Sequence, residues 1–203
     1  MYLGRIVAAG MSPDGRVVAA YRVSSRSFPN RTAKIIGQTV SIMPRPGHEG
    51  DLSKNPYIAY NCIRVGIDVA VVANGTQADM IIEKIEDGAK PLDAIALSLV
   101  AYGYERDELD TPRLAGAVRG DRAWLGIAKR REIRCKEFLL REGEAFMVAT
   151  YEKTEFESLK IEGKSAQEIA KAAFDLTFER PVCSAAANAL PGGEFELAVY
   201  NPK

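Results

Sequence analysis

Short apolar runs of strand type, separated by turns rich in glycine and proline, follow one another along most of the 203-residue chain. Leu3–Ala9 and Val17–Val23 flank Ser12-Pro13-Asp14-Gly15, in which proline presets φ and glycine permits a positive φ. This pattern predicts a β-hairpin. The same pattern predicts further strands at Lys34–Met43, Tyr57–Val65, Val69–Ala73, Leu114–Val118, Ala123–Ala128, Ile133–Leu140, Ala145–Tyr151, Val182–Ala187 and Phe195–Tyr200.

Helical signals fall in two clusters. Gln77–Asp87 is followed by Gly88 as a stop, and Pro91 suits the first turn of a second helix that reaches about Tyr102. Ser165-Ala166-Gln167-Glu168 is a capping box that opens a third helix, which ends near Phe178. Many antiparallel strands with clustered helices predict an α+β fold of two packed sheets flanked by helices. The length and the lack of a linker favour one domain over residues 1–203.

Composition excludes several classes of function. Lys plus Arg and Asp plus Glu each number 27, so the chain lacks the basic excess typical of nucleic-acid binders. The three cysteines are far apart and there is one histidine, which argues against CxxC metal sites, a disulfide framework and two-histidine centres, so we expect no metal. No apolar run approaches the ~18–20 residues of a membrane span, and no signal peptide is evident. We therefore expect a cytoplasmic protein without membrane or nucleic-acid partners.

Familiar catalytic motifs are also missing. Neither GxxxxGK[ST] nor GxGxxG occurs, and a Ser-His-Asp triad would have to use His48, which lies among Pro44, Pro46 and Gly47. Residues 1–60 carry eight basic and three acidic side chains, whereas residues 61–110 carry four basic and ten acidic ones. The first segment is thus suited to an anion and the second supplies carboxylates, although a chance surface distribution gives the same counts. Catalysis must rest on Arg, Glu, Tyr and Asn.

The densest polar cluster is YRVSSRSFPNR at residues 21–31, immediately after a predicted strand. Arginine forks and serine hydroxyls bind phosphate oxygens, so this loop favours a nucleotide monophosphate. A solvated edge loop is the alternative.

Two further clusters carry unusual polar residues. In NPYIAYNC at residues 55–62, strand geometry would place Tyr57 and Asn61 on one face and Tyr60 and Cys62 on the other. Asparagine is depleted in strands, which makes Asn61 notable. Glu105 follows the second helix, where a carboxylate opposes the helix dipole and needs another reason to be present. Near aromatic side chains its pKa can rise and make it an acid or base, whereas an exposed turn is the alternative.

Four blocks resemble one family. YRVSSRSFPNR (21–31), NPYIAYNCIR (55–64), VVANGTQ (71–77) and YERDELDTPR (104–113) are similar to motifs of the archaeal-type IMP cyclohydrolases, the PurO family. The blocks span nearly the first 120 residues; the last 80 match more loosely, mainly through Pro181–Asn188.

The resemblance implies a four-layer αββα sandwich like that of the N-terminal nucleophile hydrolases. Those enzymes use a terminal Thr, Ser or Cys, whereas this sequence starts Met1-Tyr2, which makes that chemistry unexpected. The implied reaction closes 5-formamido-1-(5-phosphoribosyl)imidazole-4-carboxamide (FAICAR) to IMP with loss of water, the last step of de novo purine synthesis. It implies a purine nucleotide as the small-molecule partner and no cofactor; the oligomeric state, a homo-oligomer included, stays open.

By the same resemblance, Arg31 contacts the formyl oxygen, Glu105 transfers a proton, and Tyr60 is a proton donor or an orienter. The implied substrate-binding residues for phosphate, ribose and base carboxamide are Ser25, Arg26, Asn30, Asn61, Asn74, Thr111, Arg113 and Asn188. Two other functions remain as alternatives: an amidohydrolase on the same scaffold that uses an internal serine or Cys62, and a purine-nucleotide sensor without turnover.

Overall fold

Residues 1–160 and 162–202 are described in the computed structural model of the chain. The strands are β1 (Arg5–Met11), β2 (Val17–Ser24), β3 (Arg31–Ile36), β4 (Thr39–Pro44), β5 (Tyr60–Val65), β6 (Ala70–Ala73), β7 (Arg113–Arg119), β8 (Arg122–Lys129), β9 (Glu132–Leu139), β10 (Glu144–Ala149), β11 (Glu157–Lys160), β12 (Pro181–Ala189) and β13 (Phe195–Tyr200). The helices are α1 (Asp51–Lys54), α2 (Gln77–Glu86), α3 (Pro91–Tyr102) and α4 (Ala166–Asp175), with a short 3₁₀ helix at Pro56–Ile58.

The strands form two antiparallel sheets. The six-stranded sheet has the order β11-β10-β1-β2-β12-β13, and the seven-stranded sheet runs β3-β4-β5-β6-β7-β8-β9. A core cluster of buried residues joins them, with Val7 and Tyr21 from the first sheet and Tyr60 and Leu125 from the second. Because side chains alternate along a strand, Ile6 and Ala20 face the other way, toward α4. Helices α2 and α3 pack on the outer face of the seven-stranded sheet.

Most of the predicted elements are confirmed. The turn at Ser12–Gly15 joins β1 to β2, and their register pairs Val7 with Tyr21. Both predicted helices of the first cluster are present, and Gly88 has a φ of 96° where α2 stops. The capping box of α4 is formed in full, with the Ser165 hydroxyl accepting from the Glu168 amide at 3.2 Å.

Three predictions were wrong. Lys34–Met43 is not one strand but the hairpin of β3 and β4, turned at Gly37 with a φ of 58°. Tyr57 belongs to the 3₁₀ helix and not to a strand, so it does not share a face with Asn61. Helix α4 ends at Asp175, before the predicted end near Phe178. The backbone leaves the helical conformation at Leu176, which has a ψ of 134°, and the Arg22 guanidinium donates to the carbonyl oxygens of Leu176 and Phe178.

Candidate active site

A cavity of about 590 Å³ lies where β1 and β3 begin and β2 ends, so both sheets contribute to its walls. Its volume is in the range of small-molecule sites. The residues that line it come from five segments: Tyr2, Gly4 and Arg5; Ser24, Ser25, Ser27, Phe28 and Arg31; Lys54, Asn55, Pro56, Tyr57 and Ile58; Glu105, Arg106, Asp107, Glu108 and Leu109; and Tyr151.

A larger cavity, about 870 Å³, lies on the outer side of the six-stranded sheet beside α4. Its floor is apolar, with Ile6, Ala8 and Ala20. The buried Arg22 at its wall is bonded to the backbone carbonyls beyond α4, which is the normal partnership of a cation with a helix C-terminus. Three charged side chains that line the inter-sheet cavity, Arg5, Arg31 and Glu105, are buried, whereas the charged residues around the outer cavity other than Arg22 are exposed. The inter-sheet cavity is therefore the candidate active site.

An ion pair crosses the inter-sheet cavity. The Arg5 guanidinium donates to both oxygens of Glu105, at 3.1 and 2.8 Å, and the Glu105 side chain is 1% exposed. Burial raises the pKa of the Glu105 carboxyl above its usual range, while Arg5 and Arg113 act to lower it. The bidentate geometry fits an ionised pair. Each carboxylate oxygen keeps a lone pair for a ligand N–H.

Arg31 enters the cavity from the other sheet. It is 4% exposed, and its Nε donates to the Phe28 carbonyl at 3.1 Å. Within residues 1–160 and 162–202, no protein group accepts from its two terminal nitrogens, which leaves them for a ligand oxygen. The Tyr60 hydroxyl lies in the electrostatic field of both Arg31 and Arg5 and pairs with the Tyr21 hydroxyl at 2.7 Å.

The loop between β2 and β3 contributes hydroxyl groups. Ser25 lines the cavity and its Oγ accepts from the Phe28 amide at 3.0 Å. Ser24 also lines it, and the buried Ser24 Oγ has no partner in the part of the chain that the structure describes. Arg26 lies outside the lining on the exposed rim, over the Tyr2 ring at 4.1 Å and bonded to Glu179 at 3.2 Å. Asn30 is the last residue of this loop; it is half-buried and also lies outside the lining.

Thr111 supports the wall and does not line it. Its hydroxyl is bonded to Asp107 at 2.7 Å and to the Tyr151 hydroxyl at 2.8 Å, and both of those residues face the cavity. The Tyr151 ring stacks on Tyr2 with centroids 5.8 Å apart. Gly4, with a φ of 70°, makes this close approach feasible, because a Cβ there would meet Tyr151 and Thr150.

Arg113 and Asn74 form a second supporting network. Arg113 donates to Gln77 at 2.9 Å and lies over the Tyr57 ring at 5.5 Å. Gln77 donates to Asn74, which in turn donates to the Pro112 carbonyl and accepts from the Leu114 amide. The network fixes the start of β7 next to Glu105.

Two of the expected contact residues point elsewhere. Asn61 faces α2, where it donates to Asp79 at 2.9 Å and accepts from Ser41 at 2.7 Å. Asn188 lies at the six-stranded sheet's outer face and donates to the Lys164 carbonyl at 2.9 Å. Both side chains form hydrogen bonds with these local partners, and neither residue lines the cavity.

Sequence reasoning overlooked Arg5 altogether. A single arginine in an apolar strand run carries no local signal, and its partner is 100 residues away. It also overlooked Tyr2, Asp107 and Tyr151 as wall residues. The one usable hint was the Glu105 carboxylate itself, which a buried site must pair with a cation.

Among residues 1–160 and 162–202, no group of three or more His, Cys, Asp or Glu side chains could hold a metal ion. In the same residues, no helix has the length and apolar character needed to cross a membrane.

The chain was compared with known proteins. A family model described as "IMP cyclohydrolase-like protein" matches residues 2–192. A protein of Methanothrix thermoacetophila named IMP cyclohydrolase is 60% identical over 203 residues, all of both chains. Proteins of the same name from Methanocella arvoryzae and Natronomonas pharaonis are 52% and 44% identical, over 99% of this chain and 98% and 99% of theirs.

These matches are full-length and well above the identity at which relatives share a family. They confirm the resemblance seen in the four sequence blocks, and they support IMP cyclohydrolase activity. The chain belongs to the IMP cyclohydrolase family.

Proposed function

We propose that this chain closes FAICAR to IMP in the inter-sheet cavity, and that Arg31, Glu105 and Tyr60 carry the chemistry. One observation carries the proposal: a cation of one sheet, Arg31, and the Arg5-held carboxylate of Glu105 line one cavity of nucleotide size. Ring closure needs a cation at the formamide oxygen and a base at the attacking carboxamide nitrogen, and both atoms are bonded to the same carbon in the transition state.

The reaction joins two arms of one substrate. The carboxamide nitrogen attacks the formamide carbon, and the developing oxyanion is stabilised by the free terminal nitrogens of Arg31. Glu105 accepts the amide proton through a lone pair that Arg5 leaves unused. Glu105 passes the proton on to the oxyanion, which becomes a hydroxyl. Tyr60 donates a second proton, so that the hydroxyl leaves as water. The former formamide nitrogen then gives its proton to the Tyr60 phenolate, and the C=N bond of the purine ring forms. Holding both arms in the reactive rotamer adds an entropic advantage.

The phosphate and ribose lie along the β2–β3 loop in this proposal. Ser24 and Ser25 line the cavity there, and Arg26 supplies a cation at the rim. Asn30 ends that loop and is kept as a contact to the sugar. Thr111, Arg113 and Asn74 act by holding the walls, since their hydrogen bonds go to wall residues. Asn61 and Asn188 are left out of the proposed contacts because their amides are engaged elsewhere.

A nucleophilic cysteine is disfavoured by its surroundings. Cys62 is fully buried in the core between the sheets, and burial raises the pKa of its thiol well above the usual value. A nucleophile has to be a thiolate, so this thiol is poorly suited to an amidohydrolase mechanism. A nucleotide sensor needs no general base. In a sensor, burial of the Glu105 carboxylate would lower the stability of the fold without serving catalysis.

We also propose that the fold is a four-layer αββα sandwich and that the protein works in the cytoplasm. Two facing antiparallel sheets with helices on both outer faces suit the four-layer αββα sandwich of the N-terminal nucleophile hydrolases. All three cysteines are free thiols, which suits the reducing cytoplasm.

The proposal is tested by adding FAICAR to the purified protein and following the ultraviolet spectrum and the products by chromatography. IMP formation with no other product is the expected result. Release of the deformylated amine would favour the amidohydrolase, and tight IMP binding without turnover would favour the sensor.

A further inference from the structure

Two tyrosines from opposite sheets meet in the core between the sheets, near the cavity-lining residues Arg5 and Arg31. Tyr21 on β2 and Tyr60 on β5 place their hydroxyl oxygens 2.7 Å apart, with the rings edge to face at 6.3 Å. Tyr21 is 0% and Tyr60 6% exposed, and both belong to the core of apolar side chains between the sheets. A phenylalanine ring would fill the space of the Tyr21 ring equally well, so packing alone does not explain the Tyr21 hydroxyl.

The two hydroxyls hold two protons, and the hydrogen bond between them uses one. Within residues 1–160 and 162–202, the structure gives neither hydroxyl any other hydrogen-bond partner. The charged groups nearest to the pair are Arg5 and Arg31, whose guanidinium groups are donors only. One hydroxyl proton is therefore left without a protein acceptor.

The position of the two rings decides which proton that is. If Tyr60 were the donor, the proton of the fully buried Tyr21 would have no acceptor, which is costly for a group out of reach of water. If Tyr21 is the donor, the spare proton belongs to Tyr60. Tyr60 does not itself line the cavity. It lies near both Arg5 and Arg31, which do, whereas Tyr21 lies near Arg5.

We infer that Tyr21 is a positioning residue: it donates to the Tyr60 oxygen and thereby directs the Tyr60 hydroxyl proton into the cavity, toward an oxygen of the bound nucleotide. This inference rests on the proposed function only for the identity of that oxygen. It makes Tyr60 a proton donor and not merely an orienter.

The same geometry affects the acidity of Tyr60. Burial raises its pKa; Arg31, Arg5 and the hydrogen bond from Tyr21 act to lower it, and Cys62 acts to raise it. Tyr21→Phe removes one of the lowering contributions and leaves the others. The Tyr60 phenol should then be a weaker acid with a freely rotating hydroxyl.

The test combines Tyr21→Phe, Tyr60→Phe and the double variant, with Tyr200→Phe as a control that packs against Phe174 on the outer face of the six-stranded sheet. We expect Tyr21→Phe to lower kcat by about tenfold with little change in KM, since one hydrogen bond is lost. Its kcat should stay high to a more alkaline pH than that of the parent. In the Tyr60→Phe background, Tyr21→Phe should have no further effect. An equal loss in both backgrounds would show a merely structural role and overturn the inference.

A second readout does not depend on turnover. Tyrosine labelled with ¹³C at Cζ gives a resonance for each ring, which the same variants assign. Addition of IMP should move the Tyr60 resonance in the parent much more than in Tyr21→Phe, whereas Tyr200→Phe should behave as the parent. Equal shifts in the parent and Tyr21→Phe would contradict the inference. If the parent did not convert FAICAR, the proposed function would be wrong. The IMP-induced shift of the Tyr60 resonance would still show whether Tyr21 positions the Tyr60 hydroxyl.

Discussion

Glu105 combines deep burial with an ion pair, and the two act on its proton in opposite directions. Burial raises the pKa of the carboxyl, whereas bidentate contact with Arg5 favours the charged form. A general base that works near neutral pH has to be ionised, and the pKa of its conjugate acid must not lie far below the working pH. The Arg5–Glu105 pair therefore tunes the carboxylate as well as holding it in place.

Glu105→Gln keeps the size of the side chain and removes its basicity. We expect IMP binding, measured by calorimetry, to persist and kcat to fall by about 10²–10⁴-fold. Glu137→Gln is the matched control, because Glu137 lies at the exposed edge strand β9 beside Trp124. Full activity in Glu105→Gln would move the proton to another group.

Arg5→Met removes the cation and leaves a buried carboxylate, which costs about 3–5 kcal/mol of unfolding free energy. Arg113 remains as a cation and Asp107 as an anion near Glu105, so the folded-state pKa of Glu105 should rise further above its unfolded value. The folded variant then binds the extra proton, and its stability falls as the pH rises through that window. Urea unfolding should show a larger deficit relative to the parent at about pH 8 than at about pH 5. A deficit that is the same at both would contradict the assignment.

At the scale of elements, the sequence predicted the regular hairpins and missed the irregular pieces. Strands with alternating or continuous apolar runs, such as β7 and β8, were predicted because buried strands consist mainly of apolar residues. The β3–β4 turn at Gly37-Gln38 lacks an Asn-Gly or Asp-Gly signal, so the hairpin was taken for one strand. The edge strand β11, which pairs with β10, is too polar and short for a periodic signal.

The 3₁₀ helix at Pro56–Ile58 shows how such a piece serves the site. The Asn55 side chain accepts from the Tyr57 amide at 2.8 Å and so holds Tyr57 and Ile58 against the cavity. We expect Asn55→Ala to cost about 1 kcal/mol, as for other caps, and to raise the KM for FAICAR. Ser165→Ala removes a comparable cap from α4, on the outer side of the six-stranded sheet. It should cost similar stability with an unchanged KM; a raised KM in both variants would mean that the cap acts only through global stability.

At the scale of the whole molecule, the candidate site is assembled by topology. Arg5, Arg31 and Glu105 come from β1, β3 and the segment after α3, and only the pairing of the strands and the facing of the sheets brings them together. The family resemblance identified Arg31 and Glu105 as candidate catalytic residues, but a sequence motif does not give the distance between two side chains. The exclusion of Asn61 and Asn188 from the cavity likewise follows from strand faces that no local pattern determines.

We expect turnover without a metal, because the proposed steps use only protonic and electrostatic groups and the single histidine leaves no two-histidine ligand set. Incubation with a chelator followed by gel filtration should leave the rate of IMP formation unchanged. Loss of activity that a divalent cation restores would refute this.

In the proposed reaction, Arg31 and Glu105 act on one formamide from opposite sides of the cavity. A double-mutant cycle of kcat for IMP formation with Arg31→Lys, Glu105→Gln and the double variant tests it most directly. Lysine keeps the charge of Arg31 but loses its planar fork, so that variant should be impaired but active. Since both side chains stabilise the same transition state, the double variant should lose less than the sum of the two single losses in activation free energy. Strictly additive losses would contradict a shared site.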